Sequence, residues 1–311
     1  MQYRLLTKAP SGAFVLLVFA PQYGRTEQQE SAPMPDRPLF DPAVLPIEAP
    51  PVDLAPLPAE VMTADALRRR FAIADTLQWV PEQLEPQGRE SSLHASLRPA
   101  AVLVSLVTRP EELTVLLTQR AAHLTDHAGQ ISFPGGRCDP EDRDVVATAL
   151  REAWEEIGLA ARHVELLGCM PEYITGTGYA VTPVVALVHP PFDVKPAERE
   201  VAECFEVPLA FLMNPLHHQI RLYQPQSPPP TSRQEASPLF SRRDGIASSF
   251  ALPRTMTDPL AAAGAYVAAP TARRFFSMPY PRVDGHGEHF IWGATAGMLR
   301  NLYHFLSAQC N

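Results

Sequence analysis

Apolar residues recur along the chain with two periods. The runs at 101–107 (AVLVSLV) and 113–118 (LTVLLT) are strand-like, and the turn-like spacer RPEE between them predicts a hairpin. Further strand-like runs lie at 163–170, 181–189 and 275–280. A helical period follows Thr63, an N-cap candidate, in ADALRRRFA, with Leu67 and Phe71 on one face. Residues 145–157 carry the strongest helical pattern, closed by Gly158 in the C′ position. Pro208–Met213 predicts a short helix, and Ile291–Trp292 leads into a last one at about 293–307. Residues 75–98 and most of 119–144 predict loop, and no internal repeat is present. Short strands around one central helix, with others flanking, predict an α/β or α+β sandwich with a mixed sheet.

Proline changes how the length is read. Of 311 residues 34 are proline, and sixteen of those fall in 31–60 and 221–260, a density of irregular chain rather than packed domain. The expected organisation is therefore an irregular leader over 1–60 and one domain over 61–311, interrupted by a Pro-rich insertion at about 224–272. With 46 % hydrophobic and 19 % charged residues the rest can build a core. A net charge of −8 without any Lys/Arg block argues against a dedicated nucleic-acid or anionic-membrane binder. Cys138, Cys169, Cys204 and Cys310 make no CxxC or zinc spacing and read as reduced thiols of a cytoplasmic protein. The apolar run 13–20, after Arg4 and Lys8, reads either as a secretory signal or as part of an extension upstream of a start at Met34, and it is too short to span a membrane.

The chemistry is concentrated in 135–159, GGRCDPEDRDVVATALREAWEEIGL. Glu152, Glu155 and Glu156 are spaced i, i+3, i+4 and share one helical face, where like charges repel. Val145, Val146, Ala149, Ala153 and Ile157 supply the apolar positions, so the acidic stripe is not needed for solubility. Clustered carboxylates are hard oxygen ligands suited to Mg²⁺ or Mn²⁺. Arg151 lies i, i+4 from Glu155 and is placed to brace it. By itself EAWEE reads first as a solvated acidic face; the flanking glycines, Arg151 and Gly158 at fixed spacing overturn that.

These residues resemble the signature of the Nudix hydrolases. Arg151-Glu152-Ala153-Trp154-Glu155-Glu156-Ile157-Gly158-Leu159 fits its second half in full. In the first half Asp142 stands where the pattern has Glu, and one extra residue separates it from Arg151. Upstream, Leu116-Leu117-Thr118-Gln119-Arg120-Ala121, Gly129 and Phe133-Pro134-Gly135-Gly136 are similar to the additional motif of the coenzyme A diphosphatase branch, except that Thr125 replaces its second Arg. Ile291-Trp292-Gly293-Ala294-Thr295-Ala296 resembles the start of that branch's terminal helix.

The resemblance implies a Nudix-type α/β/α sandwich and metal-dependent cleavage of the diphosphate of coenzyme A or its thioesters, giving 4′-phosphopantetheine and adenosine 3′,5′-bisphosphate. Glu152 and Glu156, then Glu155, are the expected metal ligands, with the Gly136 carbonyl and Asp142 as additions; Asp142 reads also as loop support. Glu155, Glu156 and Arg151 are the expected catalytic residues, with Glu200 or Glu203 as a general base or as a solvated loop-to-helix charge run. Arg120 is expected on a substrate phosphate or in a salt bridge, and His127 on substrate or bracing its loop. Gly135 and Gly136 are expected to line the substrate. Ser132 and Phe133 are expected to shape the loop, and Trp154 to face away from the acidic stripe into the core. Two other readings stand beside this one: a Nudix hydrolase for another nucleoside diphosphate derivative such as NADH, ADP-ribose or a capped nucleotide, and a non-catalytic binding module. The partner is a small molecule, with no nucleic acid or membrane; monomer and homodimer remain open.

Overall fold

The apolar hairpin lies at the centre of the molecule. The structure, a computed structural model, describes residues 41–48, 54–84, 97–124, 127–224 and 272–310. Residues 1–40, Thr125 and nearly all of the expected insertion lie outside these. Proximity divides the chain into Met1–Tyr223 with Arg273–Asn311, and Gln224–Ala272. The described elements all lie in the first unit.

In chain order these are β1 (Ile47–Glu48), α1 (Ala64–Ala72), β2 (Leu77–Gln78), β3 (Arg98–Thr108), β4 (Leu113–Arg120), β5 (Ile131–Ser132), β6 (Gly135–Arg137), α2 (Val145–Ile157), β7 (Val164–Cys169), β8 (Tyr173–Ile174), β9 (Tyr179–Val188), β10 (Val201–Pro208), α3 (Leu209–Leu212), β11 (Gln219–Tyr223), β12 (Arg273–Pro281), β13 (Glu288–Trp292), α4 (Gly293–Ser307) and β14 (Gln309–Cys310). No helix among the described residues is long and apolar enough to cross a membrane.

The main sheet runs β10-β4-β3-β9-β7, with β5 paired to β4, β6 to β3 and β8 to β9. The expected hairpin forms, Ser105 lying opposite Leu116 in antiparallel register. β3 and β9 are parallel, from Arg98 opposite Tyr179 to Val107 opposite Val188. A parallel pair needs a crossover, and α2 lies in that connection. β3 is apolar on consecutive residues because both its faces are covered. Ala101, Leu103 and Val107 pack with Ala149, Ala153 and Ile157 of α2. Ala100, Val104 and Leu106 pack in a second core with Leu67 and Phe71 of α1 and Leu299, Leu302 and Phe305 of α4. This is the expected α/β/α sandwich with a mixed sheet.

The local signals for α1 and α2 hold. The Thr63 hydroxyl accepts from the Ala66 N–H at 3.2 Å, and the Asp144 carboxylate from the Ala147 N–H at 2.7 Å. α2 ends at Gly158, whose φ of 68° is the left-handed conformation that favours glycine.

Several expectations are corrected. Residues 41–48, expected to be irregular, add β1 to a second sheet, β1-β11-β12-β13. Residues 201–208, read as the approach to a helix, are strand β10. Two acids of this strand, Glu203 of the expected charge run and Glu206, are each paired. Arg109 Nε donates to Glu206 at 3.0 Å, and the Thr114 hydroxyl donates to the same carboxylate at 2.6 Å. Arg282 donates to Glu203 at 2.7 Å. Trp154, expected in the core, is 58 % exposed. The apolar face of α2 is already filled by alanines and Ile157, which leaves no room for an indole against the sheet.

α4 meets the sheet through a small residue. A Cβ on Gly297 would run into the buried ring of Tyr173. Gly297→Val is expected to lower the unfolding free energy by about 2–3 kcal/mol through overpacking, measured by urea denaturation.

Candidate active site

The helix α2 carries its acids to one edge of the sheet, where β6 passes beside it. β6 pairs with the first half of β3, Gly136 opposite Ala101 and Gly135 opposite Val102. A Cβ on Gly136 would collide with the Glu152 carboxylate, and one on Gly135 with the backbone of Ala101 and Val102. Gly136 therefore lets backbone lie directly against the acidic helix, and Gly135 lets β6 lie close to β3.

The three glutamates sit in different surroundings. Glu156 is 4 % exposed and accepts a hydrogen bond from the Gly135 N–H at 3.1 Å. Burial, aided by the neighbouring Glu152 and Glu200 charges, pushes its pKa up to about 7, against the Gly135 hydrogen bond and Arg120. Glu152 is half-buried, and burial raises its pKa also. Glu155 is exposed.

Arg151 organises this face. Its Nη1 donates to Glu152 at 3.0 Å and to Glu155 at 3.2 Å, the expected brace. Its Nε and Nη2 form a fork on Asp142 at 3.0 and 2.9 Å, and Nη2 also donates to the Arg137 carbonyl at 3.1 Å. Asp142 further accepts from the Thr148 hydroxyl at 2.8 Å and the Asp139 N–H at 3.0 Å. Arg151 and these donors hold the Asp142 carboxyl well below the usual carboxylate range. Both its oxygens accept from the protein, which favours the loop-support reading of Asp142 over the metal-ligand one. The shorter acid and the extra residue belong together: Thr148 and Arg151 reach the carboxylate directly across the longer loop. Sequence reasoning missed Thr148, and nothing in its spacing would have marked it.

Arg120, at the end of β4, lies 3.7 Å from Glu156 through Nη1. Its Nε is buried and has no hydrogen-bond partner among the described residues. His127 is exposed, with a φ of 59°, and its Nδ1 is 2.8 Å from Gln130 Oε1, which braces the loop. Phe133 is core and Ser132 pairs with Thr118 in β5–β4, both shaping the loop as expected.

The two base candidates separate. The segment before β10 wraps the end of α2, the Lys195 and Ala197 N–H groups donating to the Ile157 and Glu156 carbonyls, both at 2.8 Å. The Glu200 carbonyl accepts from the Ala121 N–H at 2.9 Å. Glu200 is thus pinned beside the site, and its charge raises both Glu152 and Glu156. Glu203 is corrected: it faces the other side of the sheet, paired with Arg282. The adjacent Cys204 packs on the α2 side, as strand alternation requires.

No three His, Cys, Asp or Glu side chains among the described residues converge as a ready metal cage. Arg151 draws Glu152 and Glu155 toward itself while Gly135 holds Glu156. The donor set nevertheless suits a hard divalent cation: carboxylate oxygens only, one of them buried against another negative charge that a cation would relieve.

A buried carboxylate on an acidic helix, seated on a glycine-lined strand and faced by an arginine, suits the cleavage of a pyrophosphate bond. The NUDIX domain family model matches residues 97–225, a span containing every site residue above. The chain is 44 % identical over 143 residues, 45 % of its own length and 72 % of the relative's, to a protein of Escherichia coli O1:K1 named "Uncharacterized Nudix hydrolase NudL". A Shigella boydii protein of the same name matches equally. This chain belongs to the Nudix hydrolases, which act on nucleoside diphosphate derivatives and generally use a divalent metal ion such as Mg²⁺ or Mn²⁺. Among solved structures, a C. elegans Ap4A hydrolase binary complex overlaps with a TM-score of 0.32 at 24 % identity, over 35 % of this chain and 80 % of that one.

The raised pKa of Glu156 has a consequence for stability. Between the unfolded carboxyl's pKa, about 4.5, and the folded one's, about 7, the folded state holds more protons, so stability falls as pH rises through this window. Glu156→Gln, in metal-free protein, is therefore expected to be the more stable form above pH 7, by up to about 3 kcal/mol, and the gain is expected to vanish below pH 4.5. Denaturant titration across pH in the presence of a chelator measures it.

Proposed function

We propose that this Nudix hydrolase is a coenzyme A diphosphatase, adding water across the diphosphate of coenzyme A or its thioesters to release 4′-phosphopantetheine and adenosine 3′,5′-bisphosphate. The observation that carries the reading is the Leu116–Gly136 motif in register with the acidic helix. Its Arg120 and its Gly135–Gly136 pair both end against Glu156 and Glu152.

The roles follow from the charges. The diphosphate is strongly anionic and cannot approach three carboxylates bare. Glu152, Glu155 and Glu156, with the Gly136 carbonyl, would hold Mg²⁺ or Mn²⁺, which when bound neutralises the diphosphate and acidifies a coordinated water. Arg120 is half-buried with its Nε unpartnered among the described residues, and its guanidinium would meet a substrate phosphate oxygen. Arg151 braces Glu152 and Glu155 on one face. Glu200, exposed at the edge of the site, takes the proton of the attacking water. Gly135 fixes the Glu156 carboxylate through its N–H. The protein is read as cytoplasmic, with a small-molecule partner.

One observation favours a different substrate: Thr125 stands where the resembling motif has its second Arg. A substrate panel of coenzyme A, acetyl-coenzyme A, NADH and ADP-ribose, run with Mg²⁺, with Mn²⁺ and with chelator, decides between them. Coenzyme A or its thioester is expected to rank first in kcat/KM, with phosphopantetheine seen by mass spectrometry and no turnover under chelator. NADH or ADP-ribose in first place overturns the reading. Glu156→Gln is expected to lower kcat by more than about 100-fold with an unchanged circular dichroism spectrum. Retained activity removes Glu156 from the metal site.

A further inference from the structure

Thr148 stands one turn into α2, one turn ahead of Arg151 and Glu152, and is fully buried. A buried helical position favours alanine over threonine, whose branched side chain weakens a helix. A buried hydroxyl also needs a partner. The usual one in a helix is the carbonyl four residues back, but the Asp144 carbonyl is 3.4 Å away, long for a hydroxyl bond. The Thr148 hydroxyl donates instead to Asp142 Oδ2 at 2.8 Å. The side chain thus ties the body of the helix to the loop before it.

Asp142 in turn orients Arg151, and the guanidinium there is fully subscribed. Nε meets Asp142 Oδ1, Nη2 meets Asp142 Oδ2 and the Arg137 carbonyl, and Nη1 meets Glu152 and Glu155. Every N–H of the fork has an acceptor, and the fork is planar. Such a group cannot turn at one end without moving the other. Where Asp142 sits therefore decides where Nη1 points, and Nη1 braces two of the three acids of the site. The Asp139 N–H also donates to Asp142, but it belongs to the same loop and moves with it. Thr148 is the contact that fixes the carboxylate relative to α2.

We propose that Thr148 is a positioning residue for the acidic site: its hydroxyl fixes Asp142, Asp142 fixes the Arg151 fork, and the fork sets where Glu152 and Glu155 stand for a divalent cation. This rests on the reading of those glutamates as metal ligands, and it is independent of which diphosphate is the substrate. Thr148 itself touches neither metal nor substrate. It acts through two other side chains, and the hydroxyl rather than the bulk of the residue carries the effect.

Two variants separate hydroxyl from bulk. Thr148→Val keeps the shape and loses the hydroxyl, with Thr148→Ala in its place if the valine variant does not fold; Thr148→Ser keeps the hydroxyl. Mn²⁺ binding, read from the free-ion electron paramagnetic resonance signal, is expected to weaken about tenfold in Thr148→Val and to stay within about twofold of wild type in Thr148→Ser. Wild-type Mn²⁺ affinity in Thr148→Val overturns the proposal, and so does a serine variant as weak as the valine one. A second readout needs no metal. Solvent exchange of the Arg151 Nε–H, followed by nitrogen magnetic resonance, is expected to be about tenfold faster in Thr148→Val than in wild type. An equal rate overturns the proposal. Should the wild type bind no Mn²⁺, the metal reading fails by itself, and the exchange rates alone decide whether Thr148 holds the Asp142–Arg151 fork.

Discussion

The site depends on one close approach, that of helix α2 to strand β6. Glycine at 135 and 136 makes it sterically open, but the approach is electrostatically costly. It brings Glu152 and Glu156 of one helical face against a backbone strand and buries Glu156. Two interactions offset the cost. The Gly135 N–H meets Glu156, and the Arg151 guanidinium divides its donors among Glu152, Glu155 and Asp142. Hydrogen bonds to a charged group are the strong ones, and a planar fork places several of them at once. Arg151 thereby joins the helix to the loop before it, and the path from Cys138 to Asp144 takes its shape from that link.

The surrounding elements supply what this edge lacks. The 195–200 segment wraps the end of α2 and sets Glu200 beside the acids. β4 ends with Arg120 pointing at Glu156. Both arrive through backbone hydrogen bonds and sheet register, so these side chains are positioned by rigid elements. The same sheet keeps a different set of charges away from the chemistry. Glu203 and Glu206 on β10 are neutralised by Arg282 and Arg109, on residues distant in the chain, and tie the edge of the main sheet to its neighbours.

Much was legible in the sequence because its causes are local. The period of 145–157, its Asp144 cap and its Gly158 stop depend on neighbours within four residues, and so does the sharing of one face by Glu152, Glu155 and Glu156. The apolar runs that became β3, β4, β7, β9 and β12 are local in the same sense. Trp154 shows where this reasoning stops. Its spacing told that it was off the acidic stripe, but not that alanines and Ile157 already filled the space against the sheet.

Chain order by itself determined the helix that bears the acids, the hairpin that underlies it and the motifs that mark the family. Only the tertiary structure decided which charges are available. Asp142, Glu200 and Glu203 look alike as acidic residues near a motif. One is consumed by Arg151, one stands at the site and one is paired with Arg282, nearly eighty residues away. An ionic partner is chosen by distance in space, with an energy that depends on burial, and neither quantity is written in local sequence.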